Sequence, residues 1–117
     1  MKSDVVDISR DGLFSKKEVD HVLPVIYRIT VNYSKTVEAL ITRLETLNSD
    51  QTETIKELEE QINTLIKSWH VKIRKLGGAP KGLWLVDFDC GDGYFCWKYP
   101  EPEILYWHSY QDGFSKR

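Results

Sequence analysis

From Val19 onward, apolar side chains return every three or four positions: Val19, Val22, Leu23, Ile26, Ile29, Tyr33, Val37, Leu40, Ile41, Leu44 and Leu47. That period is one face of an α-helix, and the run from 15 to 47 predicts a helix about 50 Å long. Its start is marked by Ser15 and Glu18, a capping box in which each side chain satisfies the other's free amide, with Phe14 and Val19 at the flanking staple positions. Pro24 lies inside the pattern, where it removes one helical bond to the carbonyl of Asp20 and should bend the axis. After the polar break Asn48-Ser49-Asp50, a second helix is expected from near Gln51, with Ile55, Leu58, Ile62, Leu65, Ile66, Trp69, Ile73 and Leu76 as its apolar face. Lys72, Arg74 and Lys75 complement its C-terminal dipole, Gly77-Gly78 supplies a left-handed cap, and Pro80 blocks continuation. So short a connection makes the two helices an antiparallel hairpin.

Beyond Gly82 the period changes. Leu83 to Phe88, Tyr94 to Tyr99 and Glu103 to Ser109 are short runs rich in aromatic, β-branched or leucine residues, separated by Asp89-Cys90-Gly91-Asp92-Gly93 and Pro100-Glu101-Pro102. They predict a three-stranded antiparallel meander, with the tail from Tyr110 to Arg117 turning back over it through Asp112-Gly113. Alternation puts Phe95, Trp97 and Tyr99 on one face and Tyr94, Cys96 and Lys98 on the other. A three-residue turn at 100–102 sets Tyr99 opposite Glu103. Leu105 and Trp107 then join the aromatic face against the hairpin, while Ile104, Tyr106 and His108 share the outer, mixed face with Cys96. A slip of one residue reverses the two faces.

The predicted fold is therefore α+β, a long antiparallel helical hairpin followed by a small three-stranded meander. It forms a single domain over 1–117, with a loose arm at 1–13, the hairpin at 14–76 and the meander and tail at 82–117. The distal half of such a hairpin has only its partner helix to cover it. Leu40, Leu44, Leu47, Ile55 and Leu58 near the tip are accordingly the expected interaction surface for a homodimer or another helical protein. On this pattern the role favoured is a helical interaction or scaffold module, not an enzyme.

Charge narrows the partners. The formal net charge is −2, and 77–117 holds four basic residues against six acidic ones, so the aromatic sheet lacks the basic groove that a nucleic-acid platform needs. No run of apolar residues is long enough to span a membrane and the N-terminus has no signal-like core, which together predict a cytoplasmic protein. The two cysteines, Cys90 and Cys96, are too few for a disulfide scaffold, although their separation allows a cross-strand pair.

The segment from Gly82 to Arg117 also holds both cysteines, one of the three histidines and ten of the fourteen aromatics. Asp87, Cys96, Glu101 and His108 are the donor types that suit zinc or iron, although their spacing matches no compact ligand motif. A small-ligand or metal site on the outer face, an enzyme being one form of it, is the rival to the scaffold reading. Each residue also has a plain structural explanation: Asp87 and Glu101 as turn or strand-edge acceptors, Cys96 as a small buried residue, His108 as a bonded strand histidine. A Cys96–His108 nucleophile oriented by Asp87 or Glu101 is the sharper version, but no helix N-terminus or oxyanion donor is encoded beside the cysteine. Asp87 to Gly93 fails as a calcium loop, since the position requiring glycine is Asp92 and the twelfth is Lys98.

Gly82-Leu83, Val86-Asp87-Phe88, Gly93, Cys96-Trp97, Glu101, Trp107-His108, and Gly113-Phe114 with Arg117 together resemble the C-terminal signature of the prokaryotic domain-of-unknown-function family 2203. Phe14-Ser15, Glu18 and Leu23-Pro24 resemble its opening motif. The resemblance implies a small cytoplasmic protein of bacteria or archaea with no established activity, cofactor or partner. It adds Arg117 to the candidate residues. Tyr99-Pro100 stands where the family's approach to Glu101 usually carries a glycine, and the first strand turn around Cys90 is short and Gly-rich.

Overall fold

Ser15 caps the first helix as the sequence requires. Its hydroxyl accepts from the Glu18 amide at 3.2 Å, and the Glu18 carboxylate accepts from the Ser15 amide at 2.8 Å. The structure, a computed structural model, describes residues 13–111. Most of the arm predicted at 1–13, the Asp112-Gly113 turn and Arg117 lie outside the described residues. Helix α1 spans Lys16–Glu45 and helix α2 spans Thr52–Lys75, antiparallel and joined by a short connection. The second helix begins at the expected place. Its N-cap is Gln51, whose side chain instead accepts from the Asn48 amide at 2.8 Å. We expect Ser15→Ala to lower stability by about 1 kcal/mol through loss of the cap, measurable as a lower denaturant midpoint with an unchanged slope.

At the other end of α2, Gly77 takes φ +92°. The Gly78 amide donates to the Ile73 carbonyl at 3.1 Å and the Gly77 amide to Arg74 at 2.9 Å, a Schellman termination that satisfies carbonyls the helix leaves open. A side chain at Gly78 would strike Val86 and Ile73 within 3 Å, so this glycine lets the chain pass directly beneath the sheet.

The sheet has four antiparallel strands in the order β1-β2-β3-β4: Ala79–Pro80, Leu85–Asp89, Gly93–Lys98 and Tyr106–Ser109. This corrects the three-strand expectation. The Schellman turn drops Ala79 opposite Asp87 and Pro80 opposite Val86, an edge too short to carry any alternation. The third predicted strand, Glu103–Ser109, is shortened to Tyr106–Ser109. Pro100 and Pro102 have no amide to offer a ladder, and the segment before β4 wraps around Trp97, whose indole donates to the Glu101 carbonyl at 2.7 Å. Ile104 is thereby drawn into the core, not onto the outer face. The pairing of Cys96 with Tyr106 and Tyr94 with His108 is nevertheless the register set by a three-residue turn at 100–102.

The core forms where the helices meet the inner sheet face. Val19, Ile26, Val37, Trp69, Ile73, Val86, Phe88 and Trp97 are fully enclosed, each apolar side chain of this kind contributing about 1.5–3 kcal/mol. Thr30 and Ser34 also lie buried on α1, two small polar residues the apolar stripe passes over. Trp69 donates its indole N–H to Thr30 Oγ1 at 2.9 Å, and the Tyr33 and Ser68 hydroxyls meet at 2.6 Å, so polar rungs fix how the helices face each other. Leu105 and Trp107, expected against the hairpin, are about half exposed. Near the hairpin tip Leu58 is buried, and Leu40, Leu44, Leu47 and Ile55 are half-buried between the helices. The molecule measures 52 × 34 × 22 Å.

Candidate metal centre

Strand parity decides which polar residues meet. Val86 and Phe88 point into the core, so Asp87 points to the opposite face, directly across β2–β3 from Cys96. Tyr106 lies across from Cys96 on β4, which places His108 two residues further along, diagonal to the cysteine on the same face. One potential ligand thus comes from each of three neighbouring strands. Their nearest donor atoms all lie within 4.8 Å of one another.

Two expectations are corrected. Asp87 is not a turn or edge acceptor but an interior residue of β2, and the outer face is not an open surface at this point. Asp87, Cys96 and His108 retain only 6, 0 and 4% of their exposure. Tyr94, across from His108 on β3, packs its ring 5.4 Å from the imidazole and is followed by Tyr110 at 5.2 Å. Strand alternation already places Tyr94 on the face of Cys96, and its role there is to cover the imidazole.

The imidazole is oriented by the backbone. His108 Nδ1 lies 3.2 Å from the Ser109 carbonyl, which can only accept, so the neutral ring carries its proton on Nδ1 and its lone pair on Nε2. That lone pair faces Asp87 Oδ2 at 3.9 Å, beyond hydrogen-bond reach. His108 Nε2 and Asp87 Oδ1 are both buried without a hydrogen-bond partner. Each such atom costs about 1–3 kcal/mol if nothing satisfies it.

A divalent metal held between the two side chains would take up the His108 Nε2 lone pair and engage the Asp87 carboxylate. Zinc bonds sulfur at about 2.3 Å and nitrogen or oxygen at about 2.0–2.2 Å, giving tetrahedral ligand edges of roughly 3.3–3.7 Å. The 3.9 Å separation is within a few tenths of that range, and the other separations, all within 4.8 Å, need at most about one ångström of closure. A thiolate, a carboxylate and a neutral imidazole together neutralise a dication, which removes the penalty of a buried net charge. The Nδ1–H to carbonyl bond is the outer contact that commonly fixes a ligating histidine.

The geometry argues against the nucleophile reading. A Cys-His-Asp relay needs the carboxylate on the ring nitrogen remote from the sulfur. Here Nδ1 is engaged by the Ser109 carbonyl, which leaves Nε2 as the nitrogen open to a thiol proton, and Asp87 approaches that same atom instead of the far side of the ring. Cys96 lies inside β3, with no helix N-terminus beside it.

Glu101 does not join the cluster. Its carboxylate accepts from the Lys98 amide at 2.8 Å and its own amide donates to the Lys98 carbonyl, so it closes the turn after β3, as its structural explanation requires. Arg117 lies outside the described residues. Cys90 cannot pair with Cys96: it sits across from Gly93 at the far end of β3, its amide donating to the Gly93 carbonyl at 2.9 Å. The Trp107 indole donates to Cys90 Sγ at 3.1 Å. In the same turn the left-handed position is Gly91, at φ +103°, not Gly93. Gly93 is needed for another reason, since a side chain there would run into the His108 carbonyl. Tyr110 donates to Asp89 Oδ1, and that bond, helped by burial and the adjacent negative charge, pushes its phenol up to about 12.

A helical hairpin closed by an antiparallel sheet, with three ligand-type side chains enclosed on the sheet's outer face, defines an α+β protein with a candidate metal centre. The family model for DUF2203, an uncharacterised conserved protein family, matches residues 12–117, and the chain belongs to that family. Comparison with curated proteins gives no match, and neither does comparison with solved structures. Among the described residues no helix is long and apolar enough to cross a membrane.

Proposed function

We propose that this protein binds a borderline-soft divalent metal, zinc foremost and iron(II) by the same donor set, through Asp87, Cys96 and His108. The observation that carries the reading is the clustering of Asp87, Cys96 and His108, one ligand-type atom from each within 4.8 Å of the others, at residues whose Asp87 Oδ1 and His108 Nε2 are buried without a hydrogen-bond partner. Thiolate and imidazole favour zinc over calcium or magnesium. Three protein ligands leave a fourth position for water or a further ligand, the arrangement from which zinc acts as a Lewis acid. The helical-interaction reading draws on the hairpin's length. Its tip residues are at least half-buried, and none of Leu40, Leu44, Leu47, Ile55 or Leu58 is among the large exposed apolar side chains, so it ranks second.

Chelator-stripped protein titrated calorimetrically with zinc should bind one equivalent. At free zinc a hundredfold above the dissociation constant, linkage adds about 2.7 kcal/mol of stability, which for a domain of this size raises Tm by roughly 10 °C. No heat together with an unchanged Tm would sink the proposal.

A further inference from the structure

We infer that the bound metal is a clamp that controls whether the edge strand β4 stays on the sheet, an inference that rests on the metal-site reading above. The ligands are distributed one to a strand: Asp87 on β2, Cys96 on β3 and His108 on β4. β4 has four residues and, among the described residues, pairs with β3 alone. Tyr106 and Trp107 on it are 41% and 47% exposed, and His108 is its one buried side chain.

In most strands the buried side chain is what holds the strand down. Here that side chain encloses a nitrogen with no hydrogen-bond partner, so without metal its burial costs free energy. Two other contacts of this segment are peripheral: the Trp107 indole on Cys90 and the Tyr110 phenol on Asp89 both involve half-exposed rings. With metal bound, β4 cannot lift without breaking the His108–metal bond, and that bond ties it past β3 to β2. The site is thus placed where occupancy changes local order. Metal-free protein opens at β4 and uncovers the Cys96 thiol, whereas loaded protein presents β4 with its exposed Tyr106 and Trp107 as a fixed surface.

Hydrogen exchange of the wild-type chain, stripped and then loaded with zinc, tests this without any substitution. If opening of β4 ruptures the site, its population falls by the linkage factor, about a hundredfold at zinc a hundred times its dissociation constant. The β4 amides bonded to β3 should slow by that factor. Amides near Leu44 and Ile55, which open by fraying at the far end of the hairpin, should keep their rates. Calorimetry on the same samples separates the two readings. Zinc binding with unchanged β4 exchange overturns the clamp and leaves the site standing, and absence of zinc binding overturns both.

Discussion

Asp87→Asn should abolish the response to zinc and at the same time make the metal-free protein more stable. The two effects have one cause. The substitution keeps the side chain's shape but removes an anionic ligand from a three-ligand set, so affinity should fall by at least about a hundredfold. In the metal-free state, the carboxylate at this position is 6% exposed and one of its oxygens has no partner. A neutral amide is cheaper to bury, and closing by about one ångström the 3.9 Å between the Oδ2 position and His108 Nε2 brings its N–H within donating distance of that lone pair. The gain should be about 1–2 kcal/mol, seen as a higher Tm in the presence of chelator. Residues that bind a ligand at the expense of stability behave in this way. A less stable metal-free variant would instead mean that Asp87 is structural.

Trp69→Ala has the opposite character and the larger cost, about 3–5 kcal/mol, a large share of the stability of any domain this size. Trp69 is fully enclosed. It bonds Thr30 across the hairpin at 2.9 Å and meets the ring of Trp84, just before β2, edge-on at 5.0 Å. Truncation therefore opens a cavity and leaves the buried Thr30 hydroxyl without its donor in one step. Trp69→Phe preserves most of the volume and removes the N–H, so denaturant unfolding of the two variants separates packing from the hydrogen bond. A loss below 1 kcal/mol in the alanine variant would contradict this account of the core.

The parts of the fold legible in the sequence were those with strong local chemistry. Ser15 and Glu18 fixed the start of α1, Gly77 fixed the end of α2, and the paired prolines at 100 and 102 fixed the register that brings Cys96 and His108 to one face. β1 was not legible because two residues carry no period, and its pairing follows from where the turn at Gly78 sends the chain. The alternation through Ile104, Tyr106 and His108 overstated β4, because alternation cannot show that a side chain before the strand is captured by the core. Among the candidate ligands, Asp87 was a candidate by donor type alone, because the β2–β3 register that sets it across from Cys96 follows from the turn around Cys90 and not from any pattern within the strand. Glu101 was near in sequence and is excluded by a backbone amide that engages its carboxylate. The enclosure of the outer face was beyond the sequence pattern, which marks a mixed polar face as solvent-facing by default.

Phe14 sits ahead of the capping box, where it looked like a helix staple. Its ring fills the space beside Gly77 and meets Phe88 edge-on at 5.3 Å, while its amide donates to the Asp89 carbonyl at 2.7 Å. One residue thus fastens the beginning of α1 to the end of α2 and to the last position of β2. In kinetic terms this should be a late contact, seen as a Phe14→Ala variant whose unfolding rate rises more than its folding rate falls. The hairpin can assemble from neighbours along the chain, but closing residue 14 onto residue 89 carries the loop-closure entropy of everything between them. Interactions absent from the folding transition state act mainly on the escape rate, so Phe14 serves as a latch that governs how long the folded molecule lasts more than how quickly it forms.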